Sequence, residues 1–340
     1  MSITSTAPLG ALIGLATLAV AGPTEADTIT LNVGAGGQYL KIGDAVAAAN
    51  RDMDPSHYYD VWLAPGTYTN DFAEIDRPMT IEVDPQQRGK PVVLKATVPL
   101  PNQKGILLAL ASLTIDGLTF TGAAIDNSLG GNGAGIRDQI AGNSASLIVR
   151  NSVFDSNQEG ILTGDNQDET ITVTNSKFIN NGNPDIHYFQ HALYVNYAGS
   201  LTVTDSVFCG QLIGHNVKSR AKVTTVANNQ IHDGQDLSAI GCRAGSSSLA
   251  VDIPEGGVAT ISGNQLVQGP ASPNYKIVDY GEEGLAYGTN SVLVSNNDFR
   301  NSAPGATGIY DPTCVTIKLV NNSFEGIRTV VDPPGCAEFE

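Results

Sequence analysis

Two short segments near the middle of the chain hold most of the side chains that could carry out chemistry. They are QHALYVN, which begins at Gln190, and GHNVKSR, which begins at Gly214. Their histidines are 24 residues apart, and the same shift matches a tyrosine with a lysine and an asparagine with an arginine. The residues concerned are His191, Tyr194, Asn196, His215, Lys218 and Arg220. Imidazole, phenol and ammonium groups transfer protons and guanidinium groups bind carboxylates, so this set suits proton transfer beside an anionic ligand.

The shift between the two segments predicts that they lie on neighbouring strands of a repeating fold. Strand alternation then separates the outward from the inward side chains. The predicted outward residues are Arg137, Tyr194, Lys218, Arg220 and Asp252. His191 and His215 have the inward parity, so they must lie at a bend, or be buried and hydrogen-bonded. The sequence leaves both alternatives open.

An eight-residue pattern recurs through most of the chain and indicates the elements that position these residues. It reads apolar-x-apolar-x-(Asp/Asn/Gly)-(Ser/Asn/Gly)-x-(Phe/Leu/Ile), as in LIVRNSVF. Its eight copies end at Phe120, Phe154, Phe178, Phe208, Ile231, Leu266, Phe299 and Phe324. A strand, a polar turn and a large apolar residue are typical of one coil of a parallel β-helix, with loops of variable length between strands. An antiparallel sandwich fits less well, because two-residue hairpin signals are scarce.

The sequence therefore predicts an all-β protein, a single-stranded right-handed parallel β-helix over residues 27–340. Residues 28–95 or so form an N-terminal cap, with a short amphipathic helix predicted from Ile42 to Ala49 and Asp44 near its start. Residues 1–26 are interpreted as a cleaved signal peptide, because the apolar run from Leu9 to Gly22 is too short to span a bilayer. A buried N-terminal segment or a retained anchor is the alternative, since Met1 to Pro8 contains no Lys or Arg.

Composition narrows the possible partners and the compartment. The 340 residues include 34 acidic and 18 basic ones, for a net charge of −16, which argues against sequence-independent nucleic-acid binding. No later stretch is long and apolar enough to span a membrane, so no stable insertion is expected after cleavage of the signal. Proximity favours the pairs Cys209–Cys242 and Cys314–Cys336, although four free thiols are the alternative. We therefore expect a secreted or periplasmic protein, while the sequence says nothing about its oligomeric state.

Particular segments resemble a known superfamily. The succession VGAGGQYLKIGDAVAAAN, VWLAPGTYTN, MTIEV and LTIDGLTFTG resembles the start of the pectin-lyase-like right-handed parallel β-helix superfamily. The later segments HALYV, GHNVKSRA, DIPEGGVATISGNQLVQGP and DYGEEGLAYGTN resemble a group of exported bacterial β-helix proteins within it. The resemblance extends from about Thr28 to Phe324. It implies the fold but not the reaction, because the superfamily contains polysaccharide lyases, glycoside hydrolases, esterases, uronan epimerases and non-catalytic binding proteins.

A basic strip on an acidic protein suits an anionic ligand, and a uronic-acid polysaccharide is one that a β-helix groove could bind. A lyase on such a polymer needs a base for the C5 proton, a cation for the carboxylate and an acid for the leaving oxygen. An epimerase uses the same groups but returns the proton to the opposite face. The catalytic candidates are His215 or Lys218 as base, Tyr194 as acid, Lys218 or Arg220 as the cation, and His191. The substrate-binding candidates are Arg220, Arg137, Asn196, Asp252, Tyr280 and Glu283.

Other interpretations of the same residues remain open. Lys218 and Arg220 could instead pair with Asp252, Asp279 or Glu283 in a surface network. A glycoside hydrolase would need two carboxyl groups, with Asp252, Asp279, Glu282 and Glu283 as candidates. Calcium is a possible cofactor at Asp165, Asp168 and Glu169, although a solvated acidic loop is the simpler interpretation. Two further alternatives are a polysaccharide-binding protein without catalysis and an adhesive β-helix in which no groove is open.

Overall fold

The computed structural model describes residues 27–185, 190–233, 241–302 and 305–340. Within them, three long sheets in which every strand pair is parallel run along the molecule. Successive strands along the chain pass from one sheet to the next, so each circuit adds one strand to each sheet. This architecture confirms the predicted right-handed parallel β-helix. The predicted signal segment lies outside the described residues.

The first two sheets, called A and B here, are joined by short bends. Sheet A contains, in order, β1 (Asp27–Val33), β2 (His57–Leu63), β5 (Met79–Val83), β8 (Leu113–Asp116), β11 (Ser146–Arg150), β14 (Asn166–Thr174), β17 (Ala198–Thr204), β20 (Val223–Ala227), β23 (Val258–Ser262), β26 (Ser291–Ser295), β29 (Ile317–Val320) and β32 (Ala337–Phe339). Sheet B contains β3 (Gly66–Thr69), β6 (Val92–Lys95), β9 (Thr119–Thr121), β12 (Val153–Asp155), β15 (Lys177–Ile179), β18 (Val207–Cys209), β21 (Gln230–His232), β24 (Gln265–Gln268), β27 (Asp298–Asn301) and β30 (Ser323–Glu325).

Sheet C is the third sheet, and its connections to the other two range from one or two residues to long loops. It contains β4 (Ala73–Ile75), β7 (Gly105–Ala109), β10 (Ala134–Asp138), β13 (Glu159–Thr163), β16 (Leu193–Val195), β19 (His215–Ser219), β22 (Leu249–Ile253), β25 (Lys276–Tyr280), β28 (Ala306–Tyr310) and β31 (Ile327–Asp332). Three-residue 3₁₀ helices lie at Pro85–Gln87, Asn127–Leu129 and Pro334–Cys336.

The recurring pattern marks the bend from sheet A to sheet B. Its fifth residue has a positive φ, between 47° and 81°, in all eight copies. These residues are Gly117, Asn151, Asn175, Asp205, Asn228, Gly263, Asn296 and Asn321. Glycine, asparagine and aspartate are the residues that adopt this left-handed conformation most readily, which explains why the pattern admits only these three types there.

The last residue of the pattern builds a buried column in sheet B. Phe120, Phe154, Phe178 and Phe208 lie opposite one another on adjacent strands, with ring centroids 4.6–5.0 Å apart and nearly parallel planes. Ile231, Leu266, Phe299 and Phe324 continue the column. The eight copies therefore stack in register, which confirms the sequence alignment of the coils.

A helix lies at the N-terminal end of this core, as predicted. Helix α1 spans Ile42–Asn50 and buries Ile42, Ala45, Val46 and Ala49. The carboxylate of Asp71, from a distant bend, accepts hydrogen bonds from the backbone nitrogens of Ile42 and Gly43 at 2.7 and 3.0 Å. These bonds satisfy donors that the first helical turn leaves free.

Both predicted disulfides are present, Cys209–Cys242 and Cys314–Cys336. The interpretation with four free thiols is therefore wrong. Disulfides are typical of proteins that fold in oxidising compartments, which agrees with the expected export. In the described part of the chain, no helix has the length and apolar character needed to cross a bilayer.

Candidate functional site

The register of sheet C brings the two chemistry-bearing segments together. Tyr194 in β16 lies opposite Lys218 in β19, and Lys218 lies opposite Asp252 in β22. Asp252 in turn lies opposite Asp279 in β25. The predicted shift of 24 residues between the segments is confirmed, as is the prediction that Asp252 and Asp279 lie on adjacent coils.

Alternation along these strands gives sheet C one apolar and one polar column. The inward column is fully buried and consists of Leu107, Ile136, Ile161, Leu193, Val217, Val251, Val278 and Ile309. The outward column consists of Leu108, Arg137, Leu162, Tyr194, Lys218, Asp252, Asp279 and Tyr310. Loops cover much of the outward column, so that Lys218, Asp252 and Asp279 are buried although they point away from the core.

A cavity of about 510 Å³ opens on this outward column. It is lined by Gly130, Asn132, Arg137, Glu159, Leu162, Thr163, His191, Tyr194, Asn196 and Lys218. Half of these residues were candidates from the sequence, namely Arg137, His191, Tyr194, Asn196 and Lys218. Gly130 and Asn132 belong to the loop between β9 and β10, which forms one wall.

Arg137 is the cation of the cavity that has no counter-ion within 4.0 Å among the described residues. Its Nε atom is buried and has no hydrogen-bond partner there. Burial lowers the pKa of Arg137, and the carboxyl groups of Glu159 and Asp138 oppose this shift. A guanidinium remains charged in proteins, so Arg137 presents a positive charge and unused donors to the cavity.

Lys218 and Arg220 are both ion-paired. Lys218 Nζ lies 3.0 Å from Asp252 Oδ2 and 3.5 Å from Glu283 Oε1. Arg220 pairs with Glu255, and its Nη2 lies 2.7 Å from Glu283 Oε2. The expected strip of free positive charge is therefore wrong for these two residues, because loop carboxylates reach back to them. The structure agrees with the alternative in which they form an ion-pair network.

Tyr194 is held by the same network. Arg220 Nε donates a hydrogen bond to the hydroxyl oxygen of Tyr194 at 2.9 Å, and Lys218 Nζ lies 5.5 Å from the centre of its ring. A guanidinium can only donate, so the hydroxyl hydrogen of Tyr194 stays available to a ligand. Both cations also stabilise negative charge on this oxygen, which suits a group that transfers a proton.

His191 and His215 lie at the bend where sheet C strands begin, and His191 is buried whereas His215 is half-buried. Their rings stack with centroids 4.8 Å apart. His191 Nδ1 accepts the backbone N–H of His215 at 3.0 Å, so the neutral His191 ring carries its hydrogen on Nε2. Burial lowers the pKa of His191 well below its usual value, helped by the positive charge of Lys218 and Arg220. His191 is therefore a neutral hydrogen-bond donor in the cavity lining.

His215 is not among the residues that line the cavity. Its Nε2 lies 3.3 Å from Asp252 Oδ2, and its Nδ1 is buried without a partner among the described residues. Burial and the neighbouring Lys218 lower the pKa of His215 to about 3, so the ring is neutral. This placement does not favour His215 as the base that the sequence proposed.

Glu159 is the residue that sequence reasoning missed. It lies one coil before His191 in the same column, and its Oε2 accepts the backbone N–H of His191 at 2.9 Å. Only 2% of Glu159 is exposed, and burial raises its pKa well above the usual value despite nearby Arg137 and Lys218. Burial therefore favours the protonated form of Glu159 more than that of an exposed carboxyl group. Extending the alignment of Gly160 and Ile161 one residue towards the N-terminus would have found it.

The remaining substrate-binding candidates differ in whether they line the cavity. Tyr280 is a wrong prediction, because it points inward with 1% exposure and its hydroxyl donates to Gly257 O at 2.7 Å. Asp252 and Glu283 hold Lys218 and Arg220 rather than line the cavity. Asn196 does line it, and its backbone nitrogen donates to Thr163 Oγ1 at 2.9 Å.

The carboxylate pair expected for a hydrolase does not line the cavity either. Asp279 is fully buried and accepts a hydrogen bond from Lys276 Nζ at 2.9 Å. Burial and a hydrogen bond with Glu282 raise the pKa of Asp279 to about 8. Among the described residues, Glu159 is the single carboxyl group in the lining, whereas hydrolysis of a glycosidic bond uses two.

The three acids considered for calcium do not converge on one point. Glu169 in β14 points inward with 1% exposure, whereas Asp165 and Asp168 are exposed to solvent. No group of three or more His, Cys, Asp or Glu side chains suited to a metal ion occurs in the described residues.

Comparisons with known proteins give the following results. No protein-family profile and no curated protein sequence matches the chain. Among solved structures, the pectin methylesterase of Aspergillus niger in its deglycosylated form has 14% identity and a TM-score of 0.43, over 91% of this chain and 89% of that one. A mannuronan C-5 epimerase A-module from Azotobacter vinelandii has 14% identity and a TM-score of 0.43, over 85% of this chain and 90% of that one. The β-helix assignment rests on the strand pairing and not on these values.

Proposed function

We propose that the cavity binds a uronic-acid residue of an acidic polysaccharide and transfers the proton at C5, as a lyase or an epimerase does. The observation that carries the proposal is the meeting of two groups in one cavity. Arg137 supplies a positive charge with no carboxylate oxygen within 4.0 Å among the described residues, and Tyr194 supplies a hydroxyl oriented by Arg220. A carboxylate binder next to a proton-transfer group is the arrangement that proton abstraction beside a carboxylate requires.

Arg137 is proposed to bind the substrate carboxylate. When the C5 proton leaves, negative charge moves onto the carboxylate oxygens, and donors already in place stabilise it without rearrangement. His191 adds a neutral Nε2–H donor to the same lining. Its bond to the backbone of His215 fixes both the ring and the tautomer, so this donor is oriented before the substrate binds.

Tyr194 is proposed to transfer the proton. In the proposed step the Tyr194 hydroxyl first passes its own proton to solvent, and the oxygen, held by Arg220, then takes the C5 proton and becomes a phenol again. In a lyase it then gives that proton to the departing glycosidic oxygen as the C4–O bond breaks and the C4–C5 double bond forms. An epimerase needs a donor on the opposite face of the ring, and the carboxyl group of Glu159, whose pKa is raised by burial, lines the same cavity. Lys218, engaged with Asp252, stabilises charge rather than serving as the base.

Polysaccharide binding without catalysis is the second candidate. It is favoured by the ion pairs of Lys218 and Arg220, because these pairs leave Arg137 as the cation free to contact an anionic ligand. A purely adhesive β-helix is less consistent with the open cavity, since that alternative expected none. The two disulfides and the predicted signal segment support an exported protein for either candidate.

The experiment is a screen of anionic polysaccharides with two readouts of chemistry and one of binding. Unsaturated product gives rising ultraviolet absorbance, epimerisation changes the uronate composition of the hydrolysed polymer, and retardation in polymer-containing gels reports binding. We expect unsaturated product or altered composition for the wild type, and loss of both for Tyr194→Phe. Binding without either product would replace the proposal by the second candidate. Neither binding nor product with any uronan would contradict both.

A further inference from the structure

The loop between β9 and β10 forms one wall of the cavity and contributes Gly130 and Asn132 to its lining. Asn132 is half-buried, and its side-chain amide has no hydrogen-bond partner among the described residues. An asparagine amide has one acceptor oxygen and two N–H donors. The lining therefore contains a polar group whose hydrogen-bonding capacity the described part of the chain leaves unused.

Two buried glutamines hold this wall in place on both sides of Asn132. Oε1 of Gln158 accepts the backbone N–H of Gly133 at 2.8 Å. Nε2 of Gln190 donates to the backbone oxygen of Gly131. The backbone that carries Asn132 is thus fixed before a ligand arrives, and a polar group that is already in place loses less entropy on binding.

The same glutamines join the wall to the rest of the lining. Gln158 immediately precedes Glu159, and Gln190 immediately precedes His191, on successive coils. Oε1 of Gln190 also accepts the backbone N–H of Asn183 at 2.5 Å, so both ends of this side-chain amide are engaged. Displacing the wall would leave buried polar groups without partners, which costs more than losing an exposed hydrogen bond.

We propose that Asn132 determines specificity by hydrogen-bonding the C2 and C3 hydroxyls of the bound uronate, and that Gln190 is its positioning residue. In a 4-linked uronan, C1 and C4 are in glycosidic bonds and C5 carries the carboxylate proposed to bind Arg137, so these two hydroxyls remain for recognition. Vicinal hydroxyls match the adjacent acceptor and donors of one amide. This inference rests on the proposed function of the same cavity, and it adds the requirement that both hydroxyls are unsubstituted.

The test compares a 4-linked uronan with the same polymer acetylated at C2 and C3, which removes the hydroxyl donors and keeps the carboxylate. A site built to bind a hydroxyl rejects the analogue that lacks it, so the wild type should prefer the unmodified polymer at least about tenfold. Asn132→Ala should lower kcat/KM on the unmodified polymer about 3- to 10-fold, the effect of one hydrogen bond, without lowering it on the acetylated polymer. The same ratios are measured by retardation in polymer-containing gels, so the result holds for a polymer that is bound without turnover.

An exposed asparagine in the same loop supplies the matched control. Asn127→Ala changes a side chain that is not in the cavity lining, so both ratios should equal those of the wild type. Equal losses in Asn127→Ala and Asn132→Ala would mean a general effect on the loop and overturn the inference. An unmodified-polymer kcat/KM or affinity that Asn132→Ala does not lower overturns it too, and leaves the proposed function intact. Neither product nor binding with the unmodified polymer contradicts both.

Gln190→Met tests the positioning role, because methionine keeps the length of the side chain and removes its hydrogen bonds. It should weaken the preference for unmodified polymer as Asn132→Ala does, and it should add no further change in the Asn132→Ala background, since it acts through that residue. Thermal unfolding is measured alongside. Additive effects of the two substitutions on the preference overturn the role of Gln190. If the buried substitution prevents folding, Asn132→Ala and its control still decide the inference about the hydroxyls.

Discussion

Arg220 donates its Nε hydrogen to the hydroxyl oxygen of Tyr194 at 2.9 Å, while Glu255 and Glu283 hold the other side of the guanidinium. Burial alone would lower the pKa of Arg220, and the bonds to Tyr194 and Glu283 reverse this and raise it. A permanently charged donor therefore fixes the phenol at the cavity lining. Arg220 acts on a substrate through Tyr194 and is a positioning residue.

Tyr194→Phe keeps the ring and removes the hydroxyl that is proposed to transfer the proton. General acid–base groups contribute about 10²- to 10⁴-fold, so kcat should fall by at least about 100-fold. Binding of the polymer should change little, because Arg137 is intact. A variant that retains full kcat would show that another group transfers the proton.

Arg220→Lys keeps a positive charge but cannot present the Nε–H while holding both glutamates. We expect a lower kcat and a nearly unchanged KM, because the Tyr194 hydroxyl loses the donor that orients it. Thermal unfolding is measured alongside. A loss of stability in parallel with a change in both kcat and KM would instead mean a structural role.

Arg137→Gln removes the proposed carboxylate-binding charge without emptying the site. A charge-assisted bond contributes more than a neutral one, and kcat/KM should fall about 10- to 100-fold, which corresponds to about 1.4–2.8 kcal/mol. The matched control is Arg300→Gln, since Arg300 is 48% exposed on sheet B. Equal losses in both variants would point to general destabilisation rather than to a binding role.

Buried acids make the stability depend on pH. Glu169 has 1% exposure, and burial together with Asp138 raises its pKa to about 9. The folded protein therefore binds this proton more tightly than the unfolded chain, and stability falls as the pH rises from about 4 to about 9. Glu169→Gln retains a donor towards Asp138 and carries no charge.

The loss of melting temperature between pH 5 and pH 8.5 should be smaller in Glu169→Gln than in the wild type, by roughly 2–4 °C. Asp168→Asn is the control, because Asp168 is exposed and adjacent in sequence. Identical pH dependence of the wild type and Glu169→Gln would refute the assignment of the pH-dependent proton to this pair.

The requirement for a left-handed residue at each bend can be tested at Asn296, which has a φ of 57° and is exposed. Asn296→Gly should leave stability within about 1 kcal/mol, because glycine adopts this conformation freely. Asn296→Ala should cost roughly 1 kcal/mol, since alanine keeps the Cβ strain of this conformation but lacks the short polar side chain that can hydrogen-bond locally. Denaturant unfolding of the two variants provides the comparison, and equal stabilities would mean that the bend relaxes.

The fold could be predicted because each coil repeats the same local requirements. The left-handed position at Asn151 or Gly263 and the buried Phe154 or Phe299 recur in every copy of the pattern, and stacking follows from that repetition. The same logic placed Tyr194 opposite Lys218. The counter-ions of Arg220 could not be predicted, because Glu255 and Glu283 are 35 and 63 residues away and reach it through irregular loops.

The sequence also did not predict which of the polar side chains are buried. Tyr280 was selected for its hydroxyl, but alternation in β25 points it into the core. Glu159 has an ordinary acidic sequence context, and the rise in its pKa comes from its burial in the folded protein. Both cases depend on which side chains the loops cover, and loop paths do not follow the period of the coils.

The most direct measurement is the fate of the hydrogen at C5 when a bound uronan is incubated with the protein in deuterated water. The account predicts that the wild type removes this hydrogen, either with exchange for deuterium in an epimerised product or with loss into an unsaturated one. Tyr194→Phe should bind the same polymer and leave the hydrogen in place. A bound polymer that keeps its C5 hydrogen with the wild-type protein would contradict the account.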